Sequence, residues 1–236
     1  FNLRQLKEVY VDRTIIHDIT AQEFLEKNPT CLLVYKTIHL DRWWRNLSTG
    51  WRDVFLSEIG ADTTREGLHR LVEREAFQFK EARVNDLAAF SEFVRLKELH
   101  FSSTGIAEIP DMESFRSLRS LSATSSPLQR IGAISLLGKL EELDISNTPV
   151  SDLRGLETLS TLRTLNCAGT QIRRLDPLKG LVDLQSLDCS NTSVSRLDPV
   201  MYLSLQTLKA YNTRIPSREI EQFKGNNPDC HVVYYR

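Results

Sequence analysis

The sequence predicts an α/β solenoid: a stack of short parallel strands joined by turns and short returns, with a small helical segment ahead of the stack. Two observations carry this. Leucines recur at Leu96, Leu118, Leu140, Leu162, Leu184 and Leu205, a near-constant step from each to the next. Further apolar columns run in phase with them, so each unit repeats one pattern of inward positions. A unit of this length cannot bury its own apolar face. Stacking the units joins the columns into one continuous core.

Residues 1–37 form the first segment. From Leu6 the chain aligns without a gap on the tail that starts at Leu205, an offset of 205 − 6 = 199. Thr14 falls on Thr213, Phe24 on Phe223, and Asn28-Pro29-Thr30-Cys31 on Asn227-Pro228-Asp229-Cys230. An array ends in an apolar face with unpaired strand groups and needs a cover. Residues 205–236 are therefore expected to be a C-terminal cap. It would consist of a strand, a short helix over 219–224 stopped by Asn227-Pro228, and a last strand near Cys230–Tyr234. A copy of that cap at 1–37 is expected to close a preceding array, in a longer protein of which this chain is the distal part. Its edge at residues 6–11, with Leu6, Val9 and Val11, invites self-association with a second copy.

Residues 38–75 carry helical periodicity. Leu40, Trp43, Trp44 and Leu47 share one face. Trp51, Val54, Phe55 and Ile59 form a second stripe, with Ser48 as its N-cap and Gly60 as its stop. Leu68, Leu71 and Val72 form a third, and Thr63-x-x-Glu66 reads as its capping box. These three helices are expected to cap the array behind them. The three tryptophans lie on the apolar stripes, which fits packing. A binding surface is the alternative.

The array spans residues 76–236. In each unit an L-x-x-L-x-(small or apolar) stretch alternates in and out, as a short strand does. Leu99, Leu121, Leu143, Leu165, Leu187 and Leu208 form one inward column, and Phe101, Ala123, Ile145, Cys167, Cys189 and Ala210 the next. Thr104, Thr148, Thr170, Thr192 and Thr213, with Ser126, follow where the chain must turn. Their hydroxyls are expected to satisfy turn backbone groups. Phe77, Phe79, Ala82, Val84, Leu87, Phe90 and Phe93 sit one repeat length before their counterparts and form a degenerate first repeat.

The segment LEELDISNTPVSDLRGLETLSTL, from Leu140, resembles the leucine-rich-repeat family, with Thr148 where many members carry Asn. The 22-residue unit is most similar to the internalin-like class. That resemblance implies a right-handed superhelix with a parallel sheet on its concave side and 3₁₀ or very short helix on its convex side. The tail resembles the NPxC closing unit of bacterial members. The resemblance also implies a bacterial source, with the cell envelope or secretion favoured over the cytoplasm, and a protein partner.

Composition narrows function further. Lys plus Arg number 30 and Asp plus Glu 31, a net charge of −1 that gives no field for drawing in nucleic acid. No apolar run approaches the roughly 20 residues of a membrane span. Cys31, Cys167, Cys189 and Cys230 make no CxxC pair, and His17, His39, His69, His100 and His231 join no catalytic or zinc motif. The expectation is a non-enzyme without catalytic residues, metal or cofactor. Cys167 and Cys189, neighbours in one core column, read as small buried apolar residues, with a redox pair as the alternative.

Binding is expected on the outward strand positions. One outward column is Gln78, His100, Ser122, Asp144, Asn166, Asp188 and Lys209. Beside it runs Lys80, Ser102, Thr124, Ser146, Ala168, Ser190 and Tyr211. The candidate partner-binding residues are His100, Glu142, Asp144, Asn166, Asp188, Lys209 and Tyr211. Three functions fit: a protein-binding module on the concave face, a spacer without a specific ligand, and a carbohydrate or small-ligand binder. The lack of aromatic clusters on the strands weighs against the last.

Overall fold

The computed structural model describes residues 6–235. The first unit runs β1 (Glu8–Tyr10), α1 (Asp18–Lys27) and β2 (Leu32–Val34), with β1 and β2 parallel. Three helices follow: α2 (Thr37–Asn46), α3 (Thr49–Ile59) and α4 (Arg65–Val72). The array then places β3 (Ala76–Lys80), β4 (Glu98–Ser102), β5 (Ser120–Thr124), β6 (Glu142–Asp144), β7 (Thr164–Asn166), β8 (Ser186–Asp188) and β9 (Thr207–Lys209) side by side. After α5 (Ser217–Asn226), β10 (His231–Val233) completes an eight-stranded parallel sheet in the order β10-β9-β8-β7-β6-β5-β4-β3. The return segments are short 3₁₀ turns such as Leu156–Thr158, Asp176–Leu178 and Asp198–Val200.

The register follows from the leucine columns. Leu99 pairs with Leu121, Leu121 with Leu143, Leu143 with Leu165, Leu165 with Leu187 and Leu187 with Leu208. A slip of one residue would turn every one of these leucines to solvent. All are buried, in a single core that runs from Leu40 in α2 to Phe223 in α5. The turns after the strands share one backbone plan. Ser103, Ser125, Asn147, Asn191 and Asn212 take the left-handed backbone region, with φ between 51° and 55°. Gly169 fills the same slot at φ 69°. Asn tolerates that region better than most residues because its side chain bonds locally. The next residue closes the turn: the hydroxyls of Thr148, Thr170 and Thr192 each donate to the carbonyl three positions back, at 2.6 Å. This is the turn chemistry expected of the threonine column.

At the front of the array the core becomes aromatic. Trp51 and Phe55 of α3 stack at 5.4 Å between ring centres, and Phe90 lies 5.3 Å from Trp51 and 4.7 Å from Phe93. Trp43 packs 5.7 Å from Phe55 and donates its indole N–H to the Ala89 carbonyl at 3.1 Å. The tryptophans therefore pack the helices onto the first repeat. Ser48 caps α3 by accepting from the Trp51 amide, and Gly60 ends it with φ 58°. The capping box placed at Thr63 and Glu66 is shifted. Thr64 is the N-cap of α4 and accepts from the Gly67 amide at 3.2 Å. Asp62 sets the turn by accepting from both the amide and the hydroxyl of Thr64. Glu66 instead engages Arg65 and Tyr10.

The first unit and the tail have the same elements at the same spacing. β1, α1 and β2 begin at Glu8, Asp18 and Leu32, and β9, α5 and β10 at Thr207, Ser217 and His231, with one common offset between the members of each pair. Arg13 takes the left-handed region at φ 63°, as its counterpart Asn212 does at φ 52°. Both helices are longer than the short span read at 219–224, because nothing breaks them before Asn28 or Asn227. Val9 and Val11 lie partly buried on a small core of Ala21, Leu25, Leu33 and Tyr35. They support β1 from beneath rather than standing free at its edge.

Candidate functional site

The outward side of the sheet is an open polar groove. His100, Glu142, Asp144, Asn166, Asp188 and Lys209, six of the seven candidate residues, line it together with Ser120, Ser122, Thr164 and Ser186. Parallel register brings them together: Asp144 pairs with Asn166, Asn166 with Asp188, and Asp188 with Lys209. Strand spacing puts about 4.8 Å between neighbours. Tyr211 is not among them. It lies past the end of β9, where its ring stacks on Tyr235 at 4.7 Å between centres.

The acidic column has a structural duty that the sequence did not announce. Asp144, Asn166 and Asp188 each accept, through one side-chain oxygen, the amide two positions on, at 2.8, 3.1 and 3.0 Å. These Asx turns end the strands and swing the chain into the left-handed position. The swing overturns part of the outward reading. Ser146 and Ser190, read as part of an outward column, are buried at these turns. The Ser190 hydroxyl has no hydrogen-bond partner among the described residues.

What remains outward is a hydrogen-bonded strip. Asn166 donates its side-chain amide to Asp144 at 3.0 Å, and Lys209 stands 3.7 Å from Asp188. Ser120 donates to Glu142 at 3.2 Å and lies 3.0 Å from His100 Nε2. Glu142, Asp144 and Asp188 against Lys209 give the strip a net charge of −3 + 1 = −2. Among the described residues no group of three or more His, Cys, Asp or Glu is placed to hold a metal.

A second feature was not legible in the sequence. α3 overhangs the front of the groove, so that Val54, Ser57 and Glu58 face Gln78, Lys80, His100, Ser102 and Ser122 across a cleft. The helix and its exposed face were predictable, but not the strands it would stand over.

Cys31, Cys167, Cys189 and Cys230 form no disulfide among the described residues. Cys167 and Cys189 are buried and unpaired, with their sulfurs directed at the carbonyls of Asp188 and Lys209, 3.2 and 3.5 Å away. Burial pushes the Cys189 thiol up to about 12 and that of Cys167 well above its ordinary range. Burial thus keeps both as thiols, which favours the reading of two small buried apolar residues over a redox pair.

A parallel sheet with leucine columns beneath it, Asx-and-threonine turns at its edge and 3₁₀ returns behind it defines a leucine-rich-repeat solenoid. Comparison with known proteins agrees. Residues 139–180 and 160–200 match the family model described as Leucine Rich repeats (2 copies). No curated relative matches the sequence. Among solved structures, internalin C2 of Listeria monocytogenes is similar at TM-score 0.69 and 22% identity, over 78% of this chain and 82% of that one. The internalin inlF of the same organism is similar at TM-score 0.68 and 17% identity, over 79% of this chain and 56% of its own. A leucine-rich-repeat protein of Leptospira interrogans, LIC12759, is similar at TM-score 0.52 and 16% identity, over 72% and 57%. The chain has a leucine-rich-repeat fold similar to that of the internalins, and residues 139–200 match the repeat family itself. It thus spans little more than half of two of these three structures. Leucine-rich repeats form interaction scaffolds in the proteins that carry them.

Proposed function

We propose that the chain binds a protein partner along the outward strand face, with Glu142, Asp144 and Asp188 selecting a basic or donor-rich surface and His100 and Lys209 flanking it. The observation that carries this reading is the strip of side chains held in register along β6 to β9 on the open side of the sheet. A net charge of −2 along an open polar groove steers and orients a partner more than it holds one. Tyr211, beside the exposed end of the strip, is a contact at its margin. The kinship of fold favours an envelope or secreted location in a bacterium. No helix among the described residues is long and apolar enough to cross a membrane.

The test must spare the turns. Replacing Asp144 or Asp188 by Arg would remove the Asx acceptors along with the charge. Asn keeps the acceptor, as Asn166 demonstrates in the same column. Capture from source-organism and host fractions by the intact chain, beside a Glu142→Gln/Asp144→Asn/Asp188→Asn variant, should lose its protein partner in the variant. Equal retention by both would remove the acidic strip from the function. Failure of both to retain any protein would favour the spacer reading, which the small Ser120, Ser122, Thr164 and Ser186 side chains support.

A further inference from the structure

We propose that the first unit, residues 6–35, is built to receive another leucine-rich repeat on the outer side of β1, as β9 receives β8. The argument rests on two copies of one unit in two surroundings. In the tail, β9 has β8 on one side and β10 on the other. In the first unit, β1 has only β2, and its other side is open among the described residues.

The atoms that meet β8 in the tail have counterparts in the first unit that find no partner among the described residues. The amides of Gln206 and Thr207 both donate to the Gln185 carbonyl, at 2.7 and 3.1 Å. The carbonyls of Lys209 and Tyr211 accept from the amides of Cys189 and Asn191, each at 2.9 Å. Carried back to the first unit by the common offset, these are the amides of Lys7 and Glu8 and the carbonyls of Tyr10 and Asp12. The opposite edge of β1 is already used: the Lys7 carbonyl accepts from the Leu32 amide at 2.8 Å, and the Val11 amide donates to the Val34 carbonyl at 2.9 Å. The outward row is a parallel-strand template.

The side chains repeat the contrast. Leu205 is 4% exposed, whereas its counterpart Leu6 is 41% exposed. Leu208, Ala210, Ile215 and Phe223 are wholly buried against the array, while Val9, Val11, Ile16 and Phe24 are partly exposed. Asn227 donates its side-chain amide to both Phe223 and Met201, the latter in the preceding repeat. Asn28 makes the first of those bonds, to Phe24, and among the described residues has no counterpart of the second. The same apolar positions and the same polar atoms are thus prepared in both copies, and only one copy has a repeat to use them. A second copy of this chain is the poorer occupant. Its repeat strands β4–β9 are already paired on both sides, β3 is paired on the side that faces the next repeat, and the outer side of β10 belongs to a cap rather than to a repeat.

Transplanting the unit tests this. In a cap-swap chain, residues 6–37 replace 205–236, so that Ser204 runs directly into Leu6. Three chains are compared by thermal melting and urea unfolding: intact, cap-swapped, and truncated after Ser204. The expected result is cooperative unfolding of the swapped chain at least about 10 °C above the truncated one, because a terminal unit that docks adds a stabilising repeat interface. A Glu8→Pro change in the transplanted unit removes an outward amide while leaving the β2-facing bonds, and should abolish that gain. A swapped chain no more stable than the truncated one, folded or not, overturns the proposal. So does sedimentation of the intact chain as a concentration-dependent oligomer that Glu8→Pro dissolves, since a second copy would then own the face.

Discussion

Thr170→Val changes almost nothing in volume and removes one hydroxyl. Thr170 is buried and donates to the Cys167 carbonyl at 2.6 Å. That carbonyl lies just past the end of β7 and points into the turn, where no other donor reaches it among the described residues. Removing the hydroxyl leaves a buried acceptor unsatisfied, which costs about 1–3 kcal/mol. For a chain of this size each kcal/mol lowers the melting temperature by about 2–4 °C, so the variant should melt about 2–12 °C lower. Thr148 and Thr192 make the same bond at the same length. A Thr148→Val/Thr170→Val/Thr192→Val variant should therefore lose about 3–9 kcal/mol, comparable with the whole stability of many domains. Urea unfolding followed by circular dichroism measures both. A single valine variant as stable as the parent would refute the idea that the threonine column holds the turns. The column would then be a packing preference.

Asp144→Ala should cost about 1 kcal/mol through the lost acceptor for the Ser146 amide, and Asp144→Asn much less. Equal loss in the two, read by urea unfolding, would mean the charge rather than the turn is what matters. Glu73 gives a pH dependence: burial holds its carboxyl up at about 7, against an ordinary 4.5, although the Leu33 amide donates to it at 3.0 Å. The folded chain then binds that proton more tightly than the unfolded chain does. Its contribution to stability is full below about pH 4.5 and is lost as the pH rises through about 7. Melting at pH 5 and pH 8 should show a smaller difference in Glu73→Gln than in the parent, and an unchanged difference would assign the dependence elsewhere. Thiol titration of the folded chain should leave Cys31, Cys167 and Cys189 silent, with slow reaction confined to the half-buried Cys230, and should count four thiols only on unfolding. Rapid labelling of Cys167 in the native state would mean the array opens locally near β7.

Much of this molecule is written in periodicity. The repeating leucine columns dictate strand positions, register and burial, because only stacking buries them, and a one-residue slip would expose them. Local chemistry also shows in the sequence: Ser48 and Gly60 mark the ends of α3, and the self-alignment of residues 6–37 on the tail marks two like units. Features that depend on where one element lands on another do not show. The buried position of Ser190, the overhang of α3 beyond Gln78, and the shift of the α4 cap to Thr64 each follow from a turn or a packing angle. The difference between Leu6 and Leu205 is the clearest case. The same residue at the same place in two like units has different exposures, because a side chain's burial belongs to its neighbours and only the tertiary structure says which neighbours are there.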